Sequence, residues 1–483
     1  MADKYEESNS EDSYDDHLEP PEEAVGGDTP KVNGPRGLSK WEGSITMLNA
    51  FLGTGPLVIP YAFVQSGWCF AFVLVGIAMM AGFTLWLMGA LLLALDDRAE
   101  ETGVPRLRRD WSFLGYSAFG KAGSVIFFVA IFSELFGNAV SCASLTYTHL
   151  ASLLPEAHHI QIATTVTACC FLLCFVSVRS LPAIAAASMA CLLMLFLVLF
   201  VTIYQLANQN ANQHAVETQF LDLHGLPSAA GAGLFAMVAH SSGAIVFQML
   251  EDRKQWPHVA FYSTSGATVV LLFCGLLVYG CFGQSTAQSI VNNVGRDLAG
   301  QVLPGAGNHV ARALSLLFVS ARVLAGFPLV VASMGKMLGA RRPLADLTCK
   351  ALLTAAVSAV VFATGGRVSW IVDFVGTVTA NLTVLLLPSL AFFKLEHRQP
   401  SAGLSVKLVA GIILVASVVY GFWGLRSVLA GPGPGTSTTQ PLDACKHGIN
   451  LDVLSEKDTK LFSSLFSLQG ARVSQTGFQK HAP

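Results

Sequence analysis

Leu48-Asn-Ala-Phe-Leu-Gly-Thr-Gly-Pro-Leu-Val-Ile-Pro-Tyr61 is an apolar stretch interrupted at its centre by two glycines and a proline. The flanking residues are hydrophobic enough to belong to a membrane span, but Gly53, Gly55 and Pro56 weaken a helix where they stand. Backbone bared at that depth persists only where it is buried in protein or lines a cavity, because lipid supplies no hydrogen bonds. The stretch therefore predicts a span broken near mid-membrane. Beyond the break, the N–H groups of the second half-helix point into the gap with the positive end of its dipole, which suits a carboxylate. Pro56 fits the first turn of that half-helix, where no N–H is needed. A second reading of Gly53 and Gly55 is that they only let a neighbouring helix approach closely.

A matching feature lies further on, in Gly231-Ala-Gly-Leu-Phe-Ala-Met-Val-Ala-His-Ser-Ser-Gly-Ala244, where a polar His240-Ser-Ser-Gly243 cluster sits inside an apolar run. His240 alone also reads as a hydrogen-bonded core histidine. Two interrupted spans placed five spans apart are what an inverted repeat of five helices produces, with one broken helix opening each half.

The rest of the chain is consistent with a bilayer environment. Of 483 residues, 53% are hydrophobic and 12% charged, about half the charge of an ordinary soluble domain. Apolar runs between polar breaks predict eleven spans, beginning near Ser44, Cys69, Ser124, Ile160, Ala183, Ser228, Val259, Val310, Ala351, Val368 and Leu404. With the N-terminus in the cytosol, fifteen Lys and Arg fall in cytosolic loops, whereas the opposite loops hold Arg296 and Arg367, with Arg312 and Arg426 at span ends. The positive-inside rule selects that orientation. Residues 1–39 hold eleven acidic residues with many Ser, Pro and Gly, and are expected to form a disordered cytosolic tail. Residues 40–428 form the transmembrane domain. Residues 429–483, opening on Gly431-Pro-Gly-Pro-Gly, form a flexible tail on the other side of the membrane.

Two ionisable residues lie inside apolar spans, Glu134 in the third and Arg322 in the eighth. Charges there are costly, so they are functional candidates by default. Arg322 offers a fixed positive charge, and Glu134, surrounded by apolar residues, is a candidate proton acceptor. The alternative is a fixed ion pair that only orients helices. Asn138 lies one turn after Glu134 on the same face. Asp373 and Arg367 flank the start of the tenth span, where they read as an outer gate or as a solvated interfacial pair.

These residues carry a resemblance. Asn49, Gly53, Gly55, Pro60, Tyr61 and Gly67-Trp68 resemble the opening motif of the amino acid/auxin permease family. His240 to Met249, Tyr279-Gly-Cys-Phe-Gly, Phe327-Pro-Leu, Gly376 and Leu387-Pro-Ser are similar to its later landmarks. The resemblance covers about Lys40 to Val428. Ser133-Glu-Leu-Phe and Phe282-Gly-Gln-Ser are most similar to its vesicular inhibitory amino acid and vacuolar transporter branch. The resemblance implies an all-α, eleven-helix LeuT-type fold built as a 5+5 inverted repeat with broken first and sixth helices. It also implies amino acid substrates moved with protons or sodium. Pro56 departs from the aliphatic residue usual at its position.

Together these readings point to a proton-coupled amino acid transporter working by alternating access in an endomembrane. The expected substrate site comprises Asn49, Gly53, Thr54, Gly55, Asn138, His240, Ser241, Ser242 and Gly243. Gly53, Thr54 and Gly55 would face the substrate carboxylate, and unwound carbonyls of His240 to Gly243 its ammonium group. Glu134 and Arg322 would serve ion coupling, with sodium as the alternative ion. A non-transporting amino acid sensor on the same fold is the rival reading, and an intramembrane enzyme lacks the paired catalytic residues it would need. The sequence shows no Walker loop, CxxC pair or HExxH site, so no cofactor, metal or nucleic acid is expected, and the chain is expected to act as a monomer in the bilayer.

Overall fold

The computed structural model describes residues 37–96, 109–154, 157–173, 181–209, 216–301, 303, 306–338, 343–364, 368–396 and 403–430. Residues 1–36 and 431–483 of the expected tails, and Arg367, lie outside them. Within them the regular structure is helical, apart from one bridge between Leu38 and Leu250.

The first span is broken where expected. Helix α1 (Lys40–Phe51) opens on a capping box in which Ser39 Oγ accepts from Glu42 N and the Glu42 carboxylate accepts from Ser39 N. It stops before Leu52-Gly53-Thr54, and α2 (Gly55–Ser66) resumes at an angle of 50° with Pro56 in its first turn. Gly67, at φ 80°, ends α2, and a Cβ there would lie 2.7 Å from Gln219 O; the backbone of Trp68 and Cys69 pairs with Gln219 and Phe220 at that point. The second span is α3 (Phe70–Ala94). The third is carried by α4 (Trp111–Leu153), which departs from helical geometry at Gly120, at φ 67°. That kink separates a short lead-in helix, residues 111–119, from the apolar run predicted to start near Ser124.

Helices α5 (His159–Leu173) and α6 (Leu181–Gln209) occupy the fourth and fifth positions. Next come α7 (Leu226–Ala236) and α8 (His240–Met249), the halves of the sixth span, interrupted over Met237–Ala239. Helices α9 (Trp256–Phe282), α10 (Ala306–Met337) and α11 (Pro343–Thr364) follow. The tenth span combines α12 (Val368–Phe374), a π-helical segment (Val375–Leu386) and α13 (Leu387–Leu395), and α14 (Leu404–Ala430) is last. Eleven spans were expected. Among the described residues, eight helices are long and apolar enough to cross a membrane, and the bent α1–α2 pair makes nine. The fourth and fifth positions hold shorter apolar helices, His159–Leu173 and Ala190–Gln205.

The two broken spans pack side by side and antiparallel: α1 lies against α8, and α2 against α7. This is the pairing that an inverted repeat produces. At the α1 end of the bundle, Leu38 N donates to Met249 O at 2.8 Å and Glu251 N to Leu38 O at 2.9 Å. There Asp96, 7% exposed, pairs with Arg109 at 2.9 Å and with Arg253 at 2.5 Å. Three elements are thereby tied together by one buried carboxylate: α3, the start of α4 and the turn after α8.

The π-helical segment packs on α4, α7 and α14. Its contact with α7 depends on paired glycines, because a Cβ on Gly376 would stand 1.9 Å from the backbone oxygen of Gly231. The neighbouring atom is backbone, so no rotamer change relieves the overlap. Gly376→Ala is expected to destabilise the protein by about 1–3 kcal/mol, the range for overpacking. A melting temperature in detergent equal to wild type would show that the two segments have room to separate.

Candidate functional site

At the first break, the two glycines do different things. A Cβ on Gly53 would meet only Ala50 O, at 3.5 Å, and the residue is exposed. A Cβ on Gly55 would press on Ala236 Cβ at 3.0 Å and on Leu271 Cδ2 at 3.2 Å. Gly53 therefore borders open space, whereas Gly55 is where α2 touches the end of α7 and the middle of α9. Thr54 between them is buried, and Asn49 on α1 is half-buried. The first turn of α2 leaves N–H groups without helical acceptors, and the last turn of α1 leaves carbonyls without helical donors.

Arg322 answers the second of these needs. It reaches from α10, 4% exposed, and donates from Nη2 to Leu52 O at 2.6 Å and to Gly53 O at 3.4 Å. A guanidinium thus stands at the negative end of the α1 dipole, a position that favours a cation. A hydrogen bond to a charged group contributes roughly 1.5–3 kcal/mol.

The sixth span differs from expectation in one respect. Its unwound residues are Met237–Ala239, and His240 to Gly243 already form the first turn of α8. Ala239 O already accepts from Ser242 N at 3.1 Å and Gly243 N at 3.0 Å, so the carbonyls that the break offers a ligand are those of Met237 and Val238. The His240 ring is fully buried, with Nε2 3.1 Å from Thr84 Oγ1 on α3, and its backbone oxygen accepts from Trp111 Nε1 at 2.8 Å. A Cβ on Gly243 would lie 2.8 Å from Met88 Cε and 2.9 Å from Leu85 Cδ1. His240 and Gly243 are thus packed against the second span; the core-histidine reading describes His240. Ser241 and Ser242 are half-buried at the same helix start.

Glu134 lies at that helix start. Its side chain is wholly buried, Oε2 accepts a hydrogen bond from Thr383 Oγ1 in the π-helical segment, and the Ser241 hydroxyl and backbone N–H face the carboxylate. Glu134 therefore stands at the positive end of the α8 dipole, the mirror of Arg322 at the end of α1. Each charge serves one break. Asn138, half-buried, accepts from Cys142 Sγ at 3.8 Å.

At the far end of the bundle, Gln65 Nε2 donates to Ser228 Oγ at 2.8 Å, and Ser228 Oγ donates to Asp373. This chain joins α2, α7 and α12. Asp373 is hydrogen-bonded by Ser228; Arg367, its expected partner, lies outside the described residues. Among the described residues no cluster of His, Cys, Asp or Glu could hold a metal ion. Thr383, Thr84, Trp111 and Asp96 were not singled out from sequence. The Thr and Trp lie in or beside apolar runs where their types are ordinary, and Asp96 reads locally as a solvated residue at a span end.

Residues 36–429 match the family described as transmembrane amino acid transporter protein. Amino acid transporter AVT1H of Arabidopsis thaliana is 23% identical over 261 residues, 53% of this chain and 58% of the relative. AVT1C of the same plant is 24% identical over 278 residues, 54% of this chain and 47% of the relative. The chain thus spans about half the length of the curated relatives it matches. Among solved structures, MhsT in complex with L-phenylalanine aligns with a TM-score of 0.49 at 10% identity, covering 82% of this chain and 100% of that one. A manganese transporter of Eremococcus coleocola aligns with a TM-score of 0.45 at 14% identity, covering 83% and 98%.

The unequal surroundings of the two glycines set up a comparison. Gly53→Ala is expected to change stability by no more than about 0.5 kcal/mol, as at an unobstructed site, whereas Gly55→Ala costs about 1–3 kcal/mol through overpacking. Thermal unfolding of the purified variants measures both. Equal losses would mean that Gly53, like Gly55, is a packing residue.

Proposed function

The chain belongs to the transmembrane amino acid transporter family, and from that premise we propose that it moves amino acids across a membrane by alternating access, coupled to protons. The observation that carries this reading is the pair of broken spans lying antiparallel, with a buried cation at the end of α1 and a buried carboxylate at the start of α8. Backbone opened at mid-membrane is tolerated where it lines a binding site.

In this proposal the substrate carboxylate sits at the first turn of α2, against the N–H groups of Gly53, Thr54 and Gly55, with Asn49 beside it. Its ammonium group takes the carbonyls of Met237 and Val238. Ser241, Ser242 and Asn138 border the same gap, and His240 and Gly243 hold α8 in place from behind. Gly53 is the point of entry, since it faces open space while Gly55 is covered. The Gln65–Ser228–Asp373 chain closes the far side, and the Asp96 ion pairs hold the near side.

Arg322 permanently supplies the positive charge that a bound metal cation would bring to the Leu52 and Gly53 carbonyls. That leaves the coupling role to a proton, with Glu134 as its acceptor. The AVT1 relatives are named as amino acid transporters, which supports the substrate class. The vacuolar-branch resemblance supports an endomembrane, and the distribution of Lys and Arg supports a cytosolic N-terminus. The transport unit is one chain, and its reaction makes and breaks no covalent bond in the substrate.

Uptake of a labelled amino acid panel into proteoliposomes tests the reading. Accumulation is expected under an imposed pH gradient and is expected to be unchanged when sodium is replaced by a larger organic cation. Glu134→Gln, which keeps the shape and removes titration, is expected to lose uphill accumulation by tenfold or more, on the order of 1.4 kcal/mol of coupling, while retaining exchange. Gly53→Leu is expected to abolish both, because its side chain fills the carboxylate seat. Strict sodium dependence would exclude the role given to Arg322, and absence of flux for every amino acid would favour the sensor.

A further inference from the structure

The π-helical segment of the tenth span takes part in no step described above, yet it supplies a hydroxyl to the one buried carboxylate at the paired breaks. π-helical geometry is rare in general and recurs at functional sites; here it runs for 12 residues, Val375–Leu386. The hydroxyl has two choices. Thr383 Oγ1 bonds Glu134 Oε2, and it also lies 3.0 Å from Thr379 O and 3.5 Å from Ala380 O on its own segment. The groups facing the Glu134 carboxylate are Thr383 from the π-helical segment and Ser241 from α8, and among the described residues no charged side chain bears on it.

We propose that Thr383 is a positioning residue for proton coupling, whose hydroxyl reverses its hydrogen bond each time Glu134 gains or loses a proton. This rests on the reading of Glu134 as proton acceptor. With Glu134 ionised, the Thr383 proton points to Oε2. When a proton from solution bonds to Oε2, the new acid O–H donates to Thr383 Oγ1, and the threonine proton turns to Thr379 O. Release runs the same steps backwards: the proton returns to solution and the threonine proton swings back. One hydroxyl rotor moves and no helix need unwind. Oε2 then keeps a hydrogen bond in both protonation states, which matters because an orphaned polar group is costly at this depth. The location of the alternative acceptor follows from the backbone: a threonine in a helical segment places its hydroxyl near the carbonyl one turn earlier.

The effect of deleting the hydroxyl has a definite sign. Thr383→Val keeps shape and removes a hydrogen bond from both protonation states; the bond to the ionised carboxylate is the stronger of the two, so the protonated form gains relative to the ionised one. Proton-driven uptake of the labelled amino acid that wild type takes up fastest, measured in proteoliposomes of the full chain across a pH series, is expected to shift its midpoint upward. The expected shift is about tenfold in proton concentration, the excess of a charge-assisted hydrogen bond over a neutral one. Thr383→Ser, which retains the hydroxyl, is expected to keep the wild-type midpoint. Substrate exchange without a gradient shows that each variant is folded, and Thr383→Ala replaces Thr383→Val if the valine variant does not exchange. In a Glu134→Gln background, Thr383→Val is expected to add nothing.

A wild-type midpoint in both Thr383→Val and Thr383→Ala, with Glu134→Gln uncoupled, would overturn the role of Thr383 alone. A Glu134→Gln variant that still accumulates substrate uphill would overturn the coupling reading beneath it, placing proton coupling elsewhere, with Asp373 on the tenth span the next carboxylate to test.

Discussion

The structure depends on a shortage of hydrogen-bond partners inside a bilayer. Breaking a helix there frees carbonyls on one side and N–H groups on the other, and lipid can satisfy neither. An orphaned backbone group costs about 1–3 kcal/mol, so each break needs a resident partner of the right sign. Arg322 stands at the carbonyl end of α1 and Glu134 at the N–H end of α8. Either charge alone in an apolar span would be a liability. Placed at a helix end of opposite polarity, each is stabilised by the backbone it completes.

The same constraint sets the packing around the site. Antiparallel placement of α1 with α8 and α2 with α7 brings the two gaps to one level. Close approach between neighbouring segments is made by missing side chains: Gly55 against Ala236, Gly243 against Met88, and Gly376 against the Gly231 carbonyl. Polar pairs then mark the two ends, Gln65–Ser228–Asp373 on the far side and Arg109–Asp96–Arg253 on the near side.

Much of this was legible in the chain because the informative residues are out of place in their surroundings. Gly-Thr-Gly-Pro in an apolar run announces the first break, and a carboxylate or guanidinium amid aliphatic residues stands out whatever the fold. The sixth break was misplaced by three residues for the converse reason. His240-Ser-Ser-Gly243 contrasts with its neighbours and drew the reading, whereas the unwound Met237-Val238-Ala239 has no local signature of a break. Trp111 holds the His240 carbonyl and Thr84 holds its ring, so contacts from two other spans fix where α8 begins.

The sequence by itself determined the membrane class, the order of the apolar segments, the position of the first break and the two buried charges. Each follows from transfer energetics or backbone propensity, which act over a few neighbouring residues. Tertiary structure alone decided the partners. Arg322 meets a carbonyl 270 residues away, and Glu134 meets a hydroxyl 249 residues away. It also decided that Gly53 faces open space while Gly55, two positions later, is packed. A hydrogen bond needs its donor within about 3 Å of its acceptor, and no local pattern carries that distance across a chain whose spans must first be arranged in three dimensions.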